Sequence, residues 1–292
     1  DYIMHRSEEN FGFEYALRRS SRYPAYKIND LDYADDIALL ESSIAMANEQ
    51  LLKLRNVARQ VGLEINIEKT EYMTFNIAST EKLKLDDVEI KRVENFKYLG
   101  AMMASTSSDF KHRKSLAWIA FNKLKKIWQG TNIPLKLKID IFNVSVVSIF
   151  LYGCETWTID DPMKDQINSF ATACYRVMLN IKWHDHVSNE EIYNKAKQRP
   201  LIETVRQRQL SWIGHTLRRD DQELAKILAL YEPPESLIRI RKRGPKPLNY
   251  KKYIASLIKS ETDDLTPSKI VEIANNRNEW RKLVTGCVKP IE

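Results

Sequence analysis

Asp35 and Asp36 are adjacent carboxylates between two apolar segments, Tyr33-Ala34 before them and Ile37-Ala38-Leu39-Leu40 after them. This spacing predicts strand, turn, strand, with both acids at one turn. Two carboxylates about 4 Å apart repel by on the order of 4 kcal/mol at an effective dielectric of about 20, and a bound Mg²⁺ turns that repulsion into attraction. Carboxylate-held metals can activate a 3′-hydroxyl and stabilise a leaving pyrophosphate, so nucleotidyl transfer is the chemistry the pair suggests. Asp also favours turns for purely local reasons. Asp86-Asp87, flanked by the alternating Leu83-Lys84-Leu85 and Val88-Glu89-Ile90, is read as such a hairpin turn.

Other reactive residue types point to structure rather than chemistry. His184-Asp185-His186 has ligand-forming side chains, but no third cluster stands near it in sequence, which favours a surface loop and no zinc. Cys154, Cys174 and Cys287 are odd in number and widely spaced, which suits neither a disulfide framework nor a metal cluster. Cys154 falls within an apolar helical pattern with no partner base, and is assigned to packing.

The elements that must position the acidic pair follow from periodicity. Ser42 or Ser43 can cap a helix in which Ile44, Ala47, Leu51, Leu54, Ala58 and Val61 recur at three and four, and Gly62 can end it. Leu63 to Ile67 alternates like a strand, Tyr72 to Phe75 forms another, and Phe96, Tyr98 and Leu99 lie in a last extended piece. Beyond Gly100 the pattern becomes helical. A helix over 109–129 would put Leu116, Ile119, Ala120, Leu124, Ile127 and Trp128 on one face. Pro134 opens a helix to about Thr158, Asp160-Asp161-Pro162 starts the next, and 188–198 and 200–219 are helical in pattern, with two weaker helices near the end. The expected fold is α+β, with an antiparallel sheet and helix over 1–105, a helical region over 106–232, and a basic linker with C-terminal helices over 233–292.

The sequence around the acidic pair, Leu31-Asp32-Tyr33-Ala34-Asp35-Asp36-Ile37-Ala38-Leu39-Leu40, resembles motif C of the reverse transcriptases of non-LTR, LINE-type (RTE-like) retrotransposons. Similar segments follow in that family's order: Gly62-Leu63-Glu64-Ile65-Asn66 with Lys69-Thr70-Glu71 for motif D, Asn95 to Gly100 for motif E, and Tyr152-Gly153-Cys154-Glu155-Thr156-Trp157 further on. Arg208-Gln209-Leu210-Ser211-Trp212-Ile213-Gly214-His215 and Asn278-Glu279-Trp280-Arg281 extend the resemblance nearly to the end.

The resemblance implies a partial polymerase palm followed by a mostly helical thumb and C-terminal region. Asp35 would be the principal Mg²⁺ ligand, with Asp36 a supporting acid. Lys69 would approach the triphosphate and protonate the pyrophosphate, and Tyr98, Leu99 and Gly100 would form the primer grip. Lys123, Lys125 and Lys126 would track phosphates of an RNA template and DNA primer, and the parent enzyme would consume deoxynucleoside triphosphates. Asp1-Tyr2 resembles the tail of the motif B helix, so motif A, with a third carboxylate, is expected to lie outside this sequence. That implies a fragment inactive by itself and an exposed apolar sheet edge.

Net charge is +7, yet residues 195–259 carry +10 and the remainder −3, so the basic character is C-terminal. Arg241, Lys242, Arg243 and Lys246 can grip RNA, act in nuclear import, or simply solvate a linker. No apolar run approaches a membrane span, and an intracellular home, cytoplasmic or nuclear, is expected. Two other readings stay open: a non-catalytic nucleic-acid-binding protein derived from such an element, and a helical protein-binding scaffold.

Overall fold

The computed structural model describes residues 11–16, 26–75, 81–231, 249–258 and 265–286. It is an α+β chain whose contacts separate into two compact units, Asp1–Ser108 and Asp109–Glu292. Arg241, Lys242, Arg243, Lys246 and Cys287 lie outside the described residues.

Among its described residues the first unit pairs short strands with one long helix. Strands β1 (Phe13–Ala16) and β2 (Tyr26–Ile28) are antiparallel, as are β3 (Asp30–Tyr33) and β4 (Asp36–Leu39), which carry the acidic turn. Helix α1 (Ile44–Gln60) begins where the Ser43 side chain accepts the Met46 N–H and ends before Gly62, whose φ of +78° suits glycine. Next comes β5 (Glu71–Tyr72), then β6 (Lys84–Leu85) and β7 (Val88–Glu89), joined through Asp86-Asp87 with φ of +51° and +63°, the hairpin turn expected there. The Asp86 carboxylate is held by Arg55 and Arg59 of α1, which fixes this hairpin on the helix. Strand β8 (Lys91–Arg92) runs parallel to β5, and β9 (Lys97–Tyr98) pairs with β10 (Ala101–Met102).

Among the described residues these strands form two-stranded pairs rather than one continuous sheet. Among the described residues Leu51 of α1 meets Leu83, Leu85 and Ile90, with Leu39, Ala47, Ile65, Ile67 and Tyr72 at the margin of this cluster. Leu63 to Ile67 is not a strand. Asn66 instead anchors a turn, its carbonyl accepting from the Lys69 and Thr70 amides and from the Thr70 hydroxyl, so local side-chain bonding overrides the alternation.

The second unit is helical around an aromatic core. Helix α2 (Thr106–Lys123) stops before α3 (Lys125–Gln129), so the single helix expected over 109–129 is two. The Trp128 indole donates to the Phe121 carbonyl at 2.7 Å, occupying the acceptor that a continuing helix would offer to residue 125. Of the expected face, Trp128 is buried and Ala120, Leu124 and Ile127 pack against the core, but the first turns of α2 bury a different set. Phe110, Arg113, Ala117 and Phe121 point inward, whereas Ile119 is exposed. Buried Arg113 lies near the Asp109 carboxylate, which accepts the Trp157 indole N–H at 2.8 Å, so polar partners turn this side of the helix to the core.

Helix α4 (Leu135–Phe142) passes through a π turn at Asn143–Val147 into the short α5 (Ser148–Phe150), and a 3₁₀ turn at Cys154–Thr156 follows, so regular α-helix ends before Thr158. Phe121 stacks on Trp128, and Phe150 meets Phe170 with ring centroids 4.5 Å apart. Helix α6 (Asp161–Met178) is capped by Asp160 with Pro in its first turn, and α7 (Asn189–Ala196) by a Ser188–Glu191 capping box. Helix α8 (Leu201–Leu217) is central, meeting α6, α9 (Leu224–Ala229), α10 (Tyr250–Ile258), α11 (Pro267–Asn275) and α12 (Arg277–Gly286). The last three are described where two weaker helices were expected. No helix among the described residues is long and apolar enough to cross a membrane.

Candidate functional site

The acidic hairpin takes the form its sequence predicts. Tyr33 pairs with Asp36, leaving Ala34 and Asp35 as a two-residue turn. Ala34 is held at φ +55°, a left-handed conformation that costs an L-residue roughly 1–2 kcal/mol. The result is a tight tip at which Asp35 and Asp36 are both exposed. Their strands are also open to solvent: Leu31 is 36%, Tyr33 64% and Ile37 42% exposed.

A second hairpin packs beside the first. Tyr98 pairs with Ala101 across Leu99 and Gly100, both at positive φ (+47° and +83°), and the Met103 amide extends the ladder to the Phe96 carbonyl at 2.8 Å. Gly100 suits the turn, while Leu99 carries the strain. The Tyr98 hydroxyl donates to the Leu31 carbonyl at 2.9 Å, joining positions 67 residues apart. Its phenol is pushed above the usual tyrosine range, first by burial and then by the negative charges of Asp32, Asp36 and Asp30. Tyr98 thus stands in the field of the acidic hairpin.

Lys69 is not brought into this pairing. Its side chain is exposed, and its amide donates to the carbonyl and side-chain oxygen of Asn66, so no hydrogen bond or ion pair among the described residues ties its ammonium to Asp35 or Asp36. Lys123, Lys125 and Lys126 are exposed around the break between α2 and α3.

Mg²⁺ prefers six oxygen ligands and accepts one or two carboxylates when phosphates and water supply the rest. Among the described residues, no group of three or more His, Cys, Asp or Glu side chains is arranged to hold a metal. Asp35 and Asp36 are two carboxylates of the kind that could hold Mg²⁺ at this tip, with phosphate and water oxygens filling the other positions. His184 and His186 fall at a 3₁₀ turn on the surface and belong to no such group. Burial pushes the Cys154 thiol up to about 12, so a thiolate nucleophile is disfavoured there.

The second unit contains a polar centre that periodicity does not reveal. The fully buried Gln209 amide donates to the carbonyls of Cys154 and Trp157, at 2.8 and 2.9 Å, and its oxygen accepts the Tyr253 hydroxyl at 2.7 Å. Arg208 pairs with Glu155 at 2.7 Å, and the Trp280 indole donates to the Leu210 carbonyl at 2.7 Å. These contacts join three of the sequence segments singled out above, around Glu155, Arg208 and Trp280. The opposite charges of Glu155 and Arg208 were the available signal.

The fold and site define an α+β chain with a carboxylate-tipped hairpin in one unit and an aromatic helical second unit. Over 280 residues the chain is 23% identical to F52C9.6 of Caenorhabditis elegans, described as an uncharacterized transposon-derived protein, an alignment covering 88% of this chain and 95% of that one. No family model matches the sequence. No solved structure matches it.

Proposed function

We propose that this chain derives from a transposable element and is the palm-and-thumb part of a non-LTR retrotransposon reverse transcriptase. The observation that carries this reading is the contact between the two hairpins: Asp35 and Asp36 at one tip, and Tyr98-Leu99-Gly100 fastened beside it through Leu31. A polymerase palm sets a metal-binding acidic turn next to the element that holds the primer end, and these are the two segments whose sequences resemble motifs C and E. Similarity to a transposon-derived protein supports the origin.

In this reading Asp35 and Asp36 supply part of the carboxylate set for nucleotidyl transfer, and Mg²⁺, when bound with oxygens from elsewhere, supplies charge neutralisation at the transferring phosphate. Tyr98, Leu99 and Gly100 hold the primer terminus. Lys69 meets the triphosphate only once substrate is present, and Lys123, Lys125 and Lys126 follow template and primer phosphates. Deoxynucleoside triphosphates, an RNA template and a DNA primer are the substrates of the complete enzyme.

The exposed basic residues of the second unit, Lys123, Lys125 and Lys126 among them, favour one second reading, a non-catalytic nucleic-acid binder of the same origin. Binding of an RNA/DNA hybrid with a recessed 3′ end, followed by fluorescence anisotropy at constant ionic strength, separates the two. The polymerase reading predicts that Mg²⁺ tightens binding by the wild-type chain and not by Asp35→Asn. Indifference of the wild-type chain to Mg²⁺ would select the non-catalytic binder. Primer extension on poly(rA) with Mg²⁺ is a second test, and incorporation abolished by Asp35→Asn would select the polymerase reading over the non-catalytic binder.

A further inference from the structure

On the solvent side of α8 lies an open groove of about 460 Å³, lined by Glu155, Gln207, Arg208, Ser211 and Trp212. Trp212 is 36% exposed, whereas its helix neighbours Leu210 and Ile213 are fully buried. The Trp212 indole lines this groove while the buried apolar face of α8, Leu201, Val205, Leu210, Ile213 and Leu217, lies elsewhere on the helix.

We infer that this groove binds an unpaired base of single-stranded nucleic acid, stacked on Trp212 beside the Arg208 guanidinium. Three features fit that ligand. The Trp212 ring offers an aromatic face, and base–aromatic stacking is tolerant of sequence because every base has a π face. Arg208 is already fixed, its Nε donating to Glu155 Oε1 at 2.9 Å and a terminal nitrogen lying 2.7 Å from the same oxygen, so little order is lost when a base arrives. Gln207 and Ser211 each carry both a donor and an acceptor, and can meet the edge of any base.

Charge selects a polynucleotide over an apolar peptide. The groove belongs mainly to a helical stretch whose described residues, 195–231 and 249–258, carry ten Lys or Arg against four Asp or Glu. A phosphate backbone leading to and from the stacked base would meet that excess of cations. The site stands apart from the polymerase reading, because a non-catalytic chain would carry it equally.

The test uses the full chain with fluorescein-labelled oligo(U) and a blunt duplex of equal length. Trp212→Ala should weaken oligo(U) binding about 10-fold, within the range for losing one base–aromatic stack, and leave duplex binding unchanged. Trp212→Phe should recover most of the loss, since it keeps an aromatic face. The slope of affinity against salt should not change in Trp212→Ala, because stacking releases no counterions. Photocrosslinking of the wild-type chain with 5-iodouracil placed in the oligonucleotide should label the 207–212 stretch, a readout independent of how any variant folds. Equal losses for single strand and duplex, unchanged affinity in Trp212→Ala, labelling confined to other segments, or no binding of either probe at low salt would each overturn the inference.

Discussion

The Tyr98 hydroxyl donates to the Leu31 carbonyl at 2.9 Å, and this one bond fastens the Leu99-Gly100 hairpin to the strand that leads into Asp35 and Asp36. Tyr98→Phe keeps the ring and removes the donor. The bond is exposed, so the expected loss of stability is small, about 0.5–1 kcal/mol by urea denaturation of a first-unit probe. A loss of several kcal/mol would mean that the hydroxyl has a larger structural role than this contact gives it.

Ala34 holds the acidic turn at φ +55° with a Cβ that the conformation disfavours. Ala34→Gly should raise stability by up to about 1 kcal/mol, the relief being partly offset by the freer unfolded chain. Lowered stability in chemical denaturation would show that the turn does not adopt this backbone in solution.

Gly214 of α8 faces Trp280, and an added Cβ would lie 2.0 Å from the indole nitrogen, which is itself bonded to the Leu210 carbonyl. Neither backbone nor indole can yield without losing a buried hydrogen bond. Gly214→Ala should cost about 3 kcal/mol and lower the melting temperature of the second unit by roughly 6–12 °C. A melting curve that superimposes on the wild type would contradict this docking of α12 on α8.

Burial raises the thiols of Cys154 and Cys174 and the phenols of Tyr175, Tyr193 and Tyr250, with Cys154 and Tyr193 each pushed up to about 12. In the unfolded chain such groups lose their protons near about 8.5 for thiols and about 10 for phenols. Above those values the unfolded state binds fewer protons than the folded one, so stability falls as pH rises. Melting temperature should be insensitive to these groups below about pH 8 and drop markedly by about pH 10.5. A second unit that melts at the same temperature at both ends of that range would refute the burial of these side chains.

Local signals in the sequence were the ones that reached the structure. The acidic hairpin, the Asp86-Asp87 turn, the Ser43 cap and the Asp160–Pro162 helix start depend on residues within a few positions of each other. Periodicity caught Ala120, Leu124, Ile127 and Trp128 but missed the first turns of α2, whose inward side includes Asp109 and Arg113, polar residues that become core only when Trp157 arrives from 48 positions away. It failed again at Leu63 to Ile67, where Asn66 captures the backbone that alternation assigned to a strand. Of the candidate site, the acidic tip and the Tyr98-Leu99-Gly100 segment could each be read separately. Their contact could not, and neither could the Gln209 centre, because the bonds from Gln209 to Cys154 and Tyr253 exist only after the helices dock.

The central claim is that the Asp35–Asp36 hairpin and the Tyr98-Leu99-Gly100 hairpin together receive a primer terminus. A DNA primer ending in 4-thiothymidine and annealed to RNA, irradiated with the full chain and mapped by peptide mass spectrometry, addresses it directly. The account predicts labelling within residues 97–102 and the 33–36 turn, reduced by Tyr98→Phe. Labels confined to the helices after residue 108, with none on either hairpin, would contradict it.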